Sequence, residues 1–254
     1  MGLVRAGSAG ALFFPIRATS ARRPCRTVMN SAQPYRNRAH AGRQLARALA
    51  PHALGGAALV LALPRGGVPV GFAVARALGF ALDILMVRKL GLPGHEEFAM
   101  GAIGSGGVCV VQPAILREFG VSQAALEAVC ARELAELERR ERVFRGARPA
   151  PPVRGRRVIL VDDGLATGAT MRAAIAVARA ASPASVVAAA PVGAPDTCAA
   201  LTAEVDALVC PLQPALFRAI GRWYRDFGQT TDGEVQELLA RAWRRDPHGQ
   251  PAAQ

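Results

Sequence analysis

Val158-Ile159-Leu160-Val161-Asp162-Asp163-Gly164-Leu165-Ala166-Thr167-Gly168-Ala169-Thr170-Met171 decides how this 254-residue chain reads. Four consecutive β-branched or Leu residues suit a central strand of a parallel sheet, apolar on both faces. Ligands of such sheets bind outside the carboxyl ends of the strands, where Asp162 and Asp163 fall. Adjacent carboxylates there suit two ribose hydroxyls, or a Mg2+ reached through the ribose or through water. Ala166, Thr167, Gly168, Ala169 and Thr170 then open a helix. Their backbone N–H groups, two hydroxyls and the positive end of the helix dipole make a cradle for a phosphate dianion. A Walker A loop would need a Lys after Gly168, and a dinucleotide fingerprint would need GxGxxG directly after the strand; neither is present. A lone Asp-Asp-Gly turn with a Thr cap would only join strand to helix. The apolar strand before it and Ala-Thr-Gly-Ala-Thr after it favour a site.

Outward from this segment, apolar runs alternate with helical patterns. Strands are predicted at 57–63, 82–87, 158–162, 185–192 and 207–211, with helices at 36–49, 68–78, 122–144, 168–181, 195–203 and 234–245. Runs 99–103 and 107–111, separated by Gly104-Ser105-Gly106, read as a β-hairpin. Strand–helix alternation of this kind implies an α/β fold, a central mostly parallel sheet with helices on both faces. Residues 148–153 form a Pro-rich connector that ends the long charged helix.

Composition bounds the class. Apolar residues make up 51% and charged residues 20%, as in a globular domain, and only 5% are aromatic, so the core is mostly Ala, Val and Leu. No apolar run is long enough to span a bilayer. Residues 1–33 read as an extension without sustained periodicity, Arg-rich and acid-free like a transit peptide or an over-extended gene start; 34–245 read as one domain and 246–254 as a frayed tail. The formal charge of +12 admits nucleic acid, but phosphorylated small molecules need positive potential too, and the reading favours the latter. Five dispersed cysteines without metal spacing read as reduced thiols of a cytoplasmic protein, Cys210 as a core residue.

Val158–Met171 resembles the phosphoribosyl-pyrophosphate signature of type I phosphoribosyltransferases, its Ala-Thr-Gly portion closest to the uracil version. The purine enzymes usually carry an Asp where this chain has Ala166, which argues against a purine acceptor and leaves the base open. Leu63-Pro64-Arg65-Gly66-Gly67-Val68-Pro69 resembles the family's pyrophosphate loop: two glycines permit close approach of N–H groups to an anion, and Arg65 can grip it in forked fashion. Met86-Val87-Arg88-Lys89-Leu90-Gly91 lies where orotate-type enzymes carry an Arg-Lys pair, so Lys89, with Arg88 behind it, is the candidate there; a solvated basic pair is the equal alternative. Gly94–Phe98 and the following hairpin stand where the family has a mobile active-site loop, with His95 read as a solvated loop residue. Residues 139–146 and 221–227 match an uncharacterised bacterial subgroup, and that resemblance spans Tyr35 to Trp243. The aromatics of 221–227 suit stacking on a planar acceptor, the core of a flap, or a dimer contact. Arg140 and Arg145 are outlying phosphate candidates.

The resemblance implies the type I phosphoribosyltransferase fold with a small hood or flap. It implies transfer of ribose 5-phosphate from phosphoribosyl pyrophosphate to a small-molecule acceptor, a nitrogenous base, with pyrophosphate leaving and Mg2+ assisting. Asp162, Asp163 and Lys89 would be catalytic, and Asp162 and Asp163 would meet the metal indirectly. Residues 166–170 would bind the 5-phosphate; Arg65, Gly66, Gly67 and Arg88 would bind pyrophosphate. A homodimer is compatible with this reading. The alternative is a regulatory protein that binds phosphoribosyl pyrophosphate without turnover.

Overall fold

A computed structural model describes residues 4–5, 12–15, 34–52 and 56–244. The strands are β1 (Val4–Arg5), β2 (Leu12–Pro15), β3 (Ala58–Ala62), β4 (Ala81–Ile84), β5 (Val87–Leu92), β6 (His95–Gly104), β7 (Val108–Val111), β8 (Arg157–Val161), β9 (Ser185–Ala189) and β10 (Ala207–Val209). The helices are α1 (Arg38–Leu49), α2 (Gly67–Leu78), α3 (Pro113–Glu118), α4 (Gln123–Arg145), α5 (Ala169–Ala180), α6 (Pro195–Thr202) and α7 (Asp232–Trp243). The remainder of the predicted extension at 1–33, with Cys25, and the predicted tail at 246–254 lie outside the described residues.

Five strands form a wholly parallel sheet in the order β10-β9-β8-β3-β4. Every residue of β3 is buried, and β8 and β9 are buried after their first residue. Side chains alternate between the two faces, as strand geometry demands. Val60, Ile159, Val161 and Val187 pack with Leu45 and Leu49 of α1, Val70 and Val74 of α2, and Val235 and Leu239 of α7. Leu59, Leu61, Leu160 and Val186 pack with Ala174 and Ile175 of α5 and Leu201 of α6. Each such aliphatic side chain contributes roughly 1.5–3 kcal/mol by leaving water, so the continuous apolar runs make this sheet the stable frame.

The second sheet runs β1-β2-β7-β6-β5, antiparallel except where β2 lies parallel to β7. It corrects one expectation. The predicted strand 82–87 is two elements: β4 ends at Ile84 in the parallel sheet, and β5 begins at Val87 in the other. Leu85 and Met86 between them are both buried, so the apolar run continues while the chain changes sheets. Gly94–Phe98, read as standing where the family has a mobile loop, form the end of the Pro93-Gly94 turn and the start of β6, which pairs with β5 through Leu92 and His95. The predicted strand 185–192 stops at Ala189, ahead of Pro191, which lacks an N–H for the ladder. Among the described residues no helix is long and apolar enough to cross a membrane.

Candidate active site

β3 and β8 are neighbours with Ala62 opposite Val161, so the loops that follow them leave the sheet side by side. The chain proceeds from β3 outward to β4 on one side and from β8 outward to β9 on the other. The pair is therefore the topological switch point of the sheet, where such folds open a crevice.

Glycine lets the two loops touch. A Cβ on Gly66 would lie 2.1 Å from Asp163 Oδ2, and one on Gly67 would lie 2.6 Å from the Val161 carbonyl oxygen. No other residue fits against the acidic pair at this distance. The Pro64–Arg65 peptide is cis. Arg65 points from this loop to Asp232 at the start of α7, with N–O 3.3 Å.

The β8 loop is braced from behind. Leu165, buried, donates its N–H to the Val192 carbonyl at 2.9 Å and accepts from Ala194 N–H at 2.8 Å. The Thr197 hydroxyl donates to the Ala166 carbonyl at 2.6 Å, and Arg172 reaches the Thr167 carbonyl at 3.1 Å. Gly168 takes φ +73°, a left-handed turn that sends the chain into α5. Ala166, Thr167 and Thr170 are left exposed in front of the α5 N-terminus, whose first N–H groups have no partner within the helix. This is a concave set of donors with positive dipole, suited to a phosphate dianion.

Asp163 is buried and holds the centre. Its Oδ2 accepts from Arg38 Nε at 2.8 Å, and its carbonyl accepts from the Tyr224 hydroxyl at 2.6 Å. Asp163 N–H donates to Asp162 Oδ1 at 2.8 Å. Burial, and then the neighbouring Asp163 charge, push the Asp162 carboxyl well above the usual carboxylate range. Burial raises Asp163 as well, against the opposing pull of Arg38. Two close carboxylates held up in this way favour a ligand that brings hydroxyl donors or a cation. Among the described residues no three His, Cys, Asp or Glu side chains converge on a common point. A hard cation such as Mg2+ would thus meet two carboxylates here and would draw its other oxygens from water and a bound phosphorylated molecule; the residues fit that role.

Arg38 was not anticipated from sequence. Its guanidinium also donates to the Gly228 carbonyl at 2.6 Å and lies 4.0 Å above the Phe227 ring. It therefore ties the first helix, the acidic pair and the 220–228 segment together. That segment forms the hood. It is stitched to the chain before α1 by Tyr35 N–H to Trp223 O and Arg225 N–H to Tyr35 O, both 2.8 Å, and Ile220 packs over Gly164. Tyr224 is core, its ring 5.6 Å from Tyr35 and 4.9 Å from Phe227.

Asp162, Asp163, Gly66, Gly67 and residues 166–170 are thus brought together, with Arg65 at the rim. Lys89 and Arg88 sit on opposite faces of β5, in the second sheet. Arg88 pairs with Glu133 of α4 at 2.6 Å, and Lys89 is exposed. Among the described residues no hydrogen bond or ion pair joins either to the two loops. Arg145 is not a surface phosphate ligand: it is buried, bound to Asp83 at 2.8 Å and also to Glu141. Arg140 pairs with Glu136. Cys210 is a buried core residue, as expected.

Comparison with known proteins agrees with this geometry. A family model described as "Phosphoribosyl transferase domain" matches residues 35–211. Two curated proteins from strains of Mycobacterium tuberculosis, each provisionally named a phosphoribosyl transferase, are 49% identical over 210 residues. The match takes in 83% of this chain but 47% of theirs, so the chain spans about half the length of these relatives. The crystal structure of TT1426 from Thermus thermophilus superimposes with a TM-score of 0.76 at 45% identity, covering 82% of this chain and 99% of that one. With the signature loop, the glycine-mediated loop contact and this similarity in hand, the chain belongs to the phosphoribosyl transferase domain family.

Proposed function

We propose that the protein transfers ribose 5-phosphate from phosphoribosyl pyrophosphate to a nitrogenous acceptor and releases pyrophosphate. The observation that carries this is the meeting of the Arg65-Gly66-Gly67 loop with the Asp162-Asp163 loop at the switch point. Residues 166–170, the acid pair and the Arg65 loop lie together at the ends of β3 and β8, an arrangement that would suit the phosphate, ribose and pyrophosphate of the donor in turn.

Asp162 and Asp163 would accept hydrogen bonds from the ribose hydroxyls, and 166–170 would anchor the 5-phosphate. The Gly66 amide with Arg65 would stabilise the charge that grows on the departing pyrophosphate, an interaction stronger in the transition state than in the ground state. Gly67, expected to donate there too, has its N–H bonded to the Leu63 carbonyl at 3.0 Å and serves the close approach of the two loops. Mg2+, when bound, would supply further neutralisation of that charge. Lys89 and Arg88 would join only if β5 approached the crevice in the bound state. Ala166 offers no side-chain proton acceptor, so an acceptor nucleophile must arrive already competent or lose its proton to water or to the departing pyrophosphate.

The test is pyrophosphate release from phosphoribosyl pyrophosphate and Mg2+ across a panel of nitrogenous acceptors, with calorimetric binding of the donor alongside. Turnover with one acceptor that is abolished in Asp163→Asn supports the proposal. Donor binding without turnover on any acceptor would instead identify a regulatory protein, and failure to bind the donor would refute the site itself.

A further inference from the structure

Net charge alone does not separate a phosphorylated small molecule from a polyanion, but its placement does. Eleven of the 31 Lys and Arg residues and none of the 19 Asp and Glu precede Asp83, so the 20 basic residues that remain nearly cancel the 19 acids. Of the arginines between Tyr35 and Asp83, Arg38 and Arg65 serve the crevice. Arg36, Arg43 and Arg47 do not. His40, Arg43 and Arg47 recur at the spacing of one helix face on the outer side of α1, Arg36 lies just before the helix with its N–H donating to His40 Nδ1 at 3.2 Å, and all three arginines are exposed.

The hood adds Arg225, also exposed, whose backbone N–H bonds to Tyr35 O beside Arg36. Burial and then the charges of Arg36, Arg43, Arg47 and Arg225 hold the His40 imidazole below its usual pKa. Among the described residues none of these four arginines forms a salt bridge. The contrast with α4 is plain, because Arg132, Arg139 and Arg140 there pair with Glu133 and Glu136.

We propose that the outer face of α1, with Arg225 of the hood, binds the phosphate backbone of double-stranded nucleic acid, outside the phosphoribosyl crevice. At a rise of 1.5 Å per residue the helical stretch from His40 to Arg47 spans roughly 10 Å, and Arg36 and Arg225 extend the basic surface beyond its first turn. That stretch alone matches about three phosphates along one strand. Guanidinium forks suit phosphate oxygens. A protein partner or a membrane surface would call for apolar anchors. The exposed residues from Arg36 to Arg47 are only Arg36, Asn37, Ala39, Arg43 and Arg47, while Tyr35 is buried. The same lack of an exposed aromatic removes the stacking platform that single strands use, which favours a duplex. Contacts to phosphates carry no sequence information, so the binding is indifferent to sequence.

The experiment is fluorescence anisotropy of a labelled 20-base-pair duplex of arbitrary sequence with the full chain, titrated at 50 to 200 mM KCl. Four neutralised phosphates give a slope of log affinity on log salt of at least about 3.6 in magnitude, a loss of roughly 150-fold over that range. The variant R36Q/R43Q/R47Q/R225Q should lose this binding while melting and binding phosphoribosyl pyrophosphate like the parent. Should the fourfold variant melt early, the single variants carry the test, since each must flatten the slope by about 0.9. The proposal is overturned by absence of binding at 50 mM salt, or by single variants that leave the slope unchanged. It is equally overturned if Mg2+–phosphoribosyl pyrophosphate displaces the duplex, which would put the anion in the crevice. Equal affinity for polyglutamate or for anionic vesicles, or tighter binding of a single strand, would also overturn it.

Discussion

Replacing Gly66 by alanine tests the contact on which the whole site reading stands. The added Cβ would lie 2.1 Å from Asp163 Oδ2, so the carboxylate must retreat by at least roughly 1 Å to reach ordinary carbon–oxygen contact. It is not free to do so. Arg38 holds it at 2.8 Å, and Arg38 is itself tied to Gly228 O and to the Phe227 ring. Forcing extra volume into such a packed place costs about 1–3 kcal/mol. For a chain of this size each kcal/mol lowers the melting temperature by about 2–4 °C, so the expected fall is roughly 2–12 °C. Loss of one charge-assisted bond to the ribose, about 1.5–3 kcal/mol, weakens binding of phosphoribosyl pyrophosphate about 10- to 150-fold.

Calorimetry of the donor in Mg2+ buffer and differential scanning of the free protein read the two effects. Gly233→Ala is the control: it lies in the first turn of α7 with no atom within 4 Å of its would-be Cβ, and should stabilise by about 0.4–1 kcal/mol. Residues in contact couple, so Gly66→Ala should cost less in an Asp163→Ala background than alone. The reasoning is refuted if Gly66→Ala binds the donor within about twofold of the parent and melts normally, or if its cost is the same with and without the Asp163 carboxylate.

The buried charged groups offer further tests. Arg38→Gln leaves Asp163 buried without its cation and should cost about 3 kcal/mol or more of stability in urea unfolding, together with a loss of donor affinity. Arg145→Met leaves Asp83 unpaired in the core and should cost about 3–5 kcal/mol, while donor affinity in the folded variant stays at the parent value. The raised Asp162 carboxyl keeps its proton in the folded, ligand-free protein over a window that begins at the unfolded value of about 4 and ends above it. The folded state binds more protons there, so stability is fully present below that window and is lost as pH rises through it. Asp162→Asn should flatten this slope, leaving the parts due to Asp163 and Asp83, which burial also raises. Urea unfolding at stepped pH that showed stability rising across the window would contradict the assignment.

How much of this was legible follows from which physics is local. The β8 strand and its loop were readable because a strand buried on both faces must be apolar throughout and a phosphate cradle must be small and hydroxylated, so both leave their mark on consecutive residues. The break between β4 and β5 left no such mark. Leu85 and Met86 are buried whichever sheet claims the chain, and periodicity cannot report a change of partner. Arg88 and Lys89 were therefore assigned to the end of a core strand they do not belong to. Arg38 was hidden for a different reason, since 125 residues separate it from Asp163. A local signal did exist. Asn37 caps α1 by accepting from His40 N–H at 2.9 Å, which fixes Arg38 as the first helical residue. Arg43 and Arg47 then share one face of that helix, with Arg36 just before the cap, and Arg38 stands off that face, half-buried, where a charge needs an acid. With no Asp or Glu before Asp83, that acid had to come from later in the chain. The nearest unsatisfied carboxylates a parallel sheet would bring to that end were Asp162 and Asp163. The same absence of acids that leaves the outer stripe uncompensated is what commits Arg38 to the crevice.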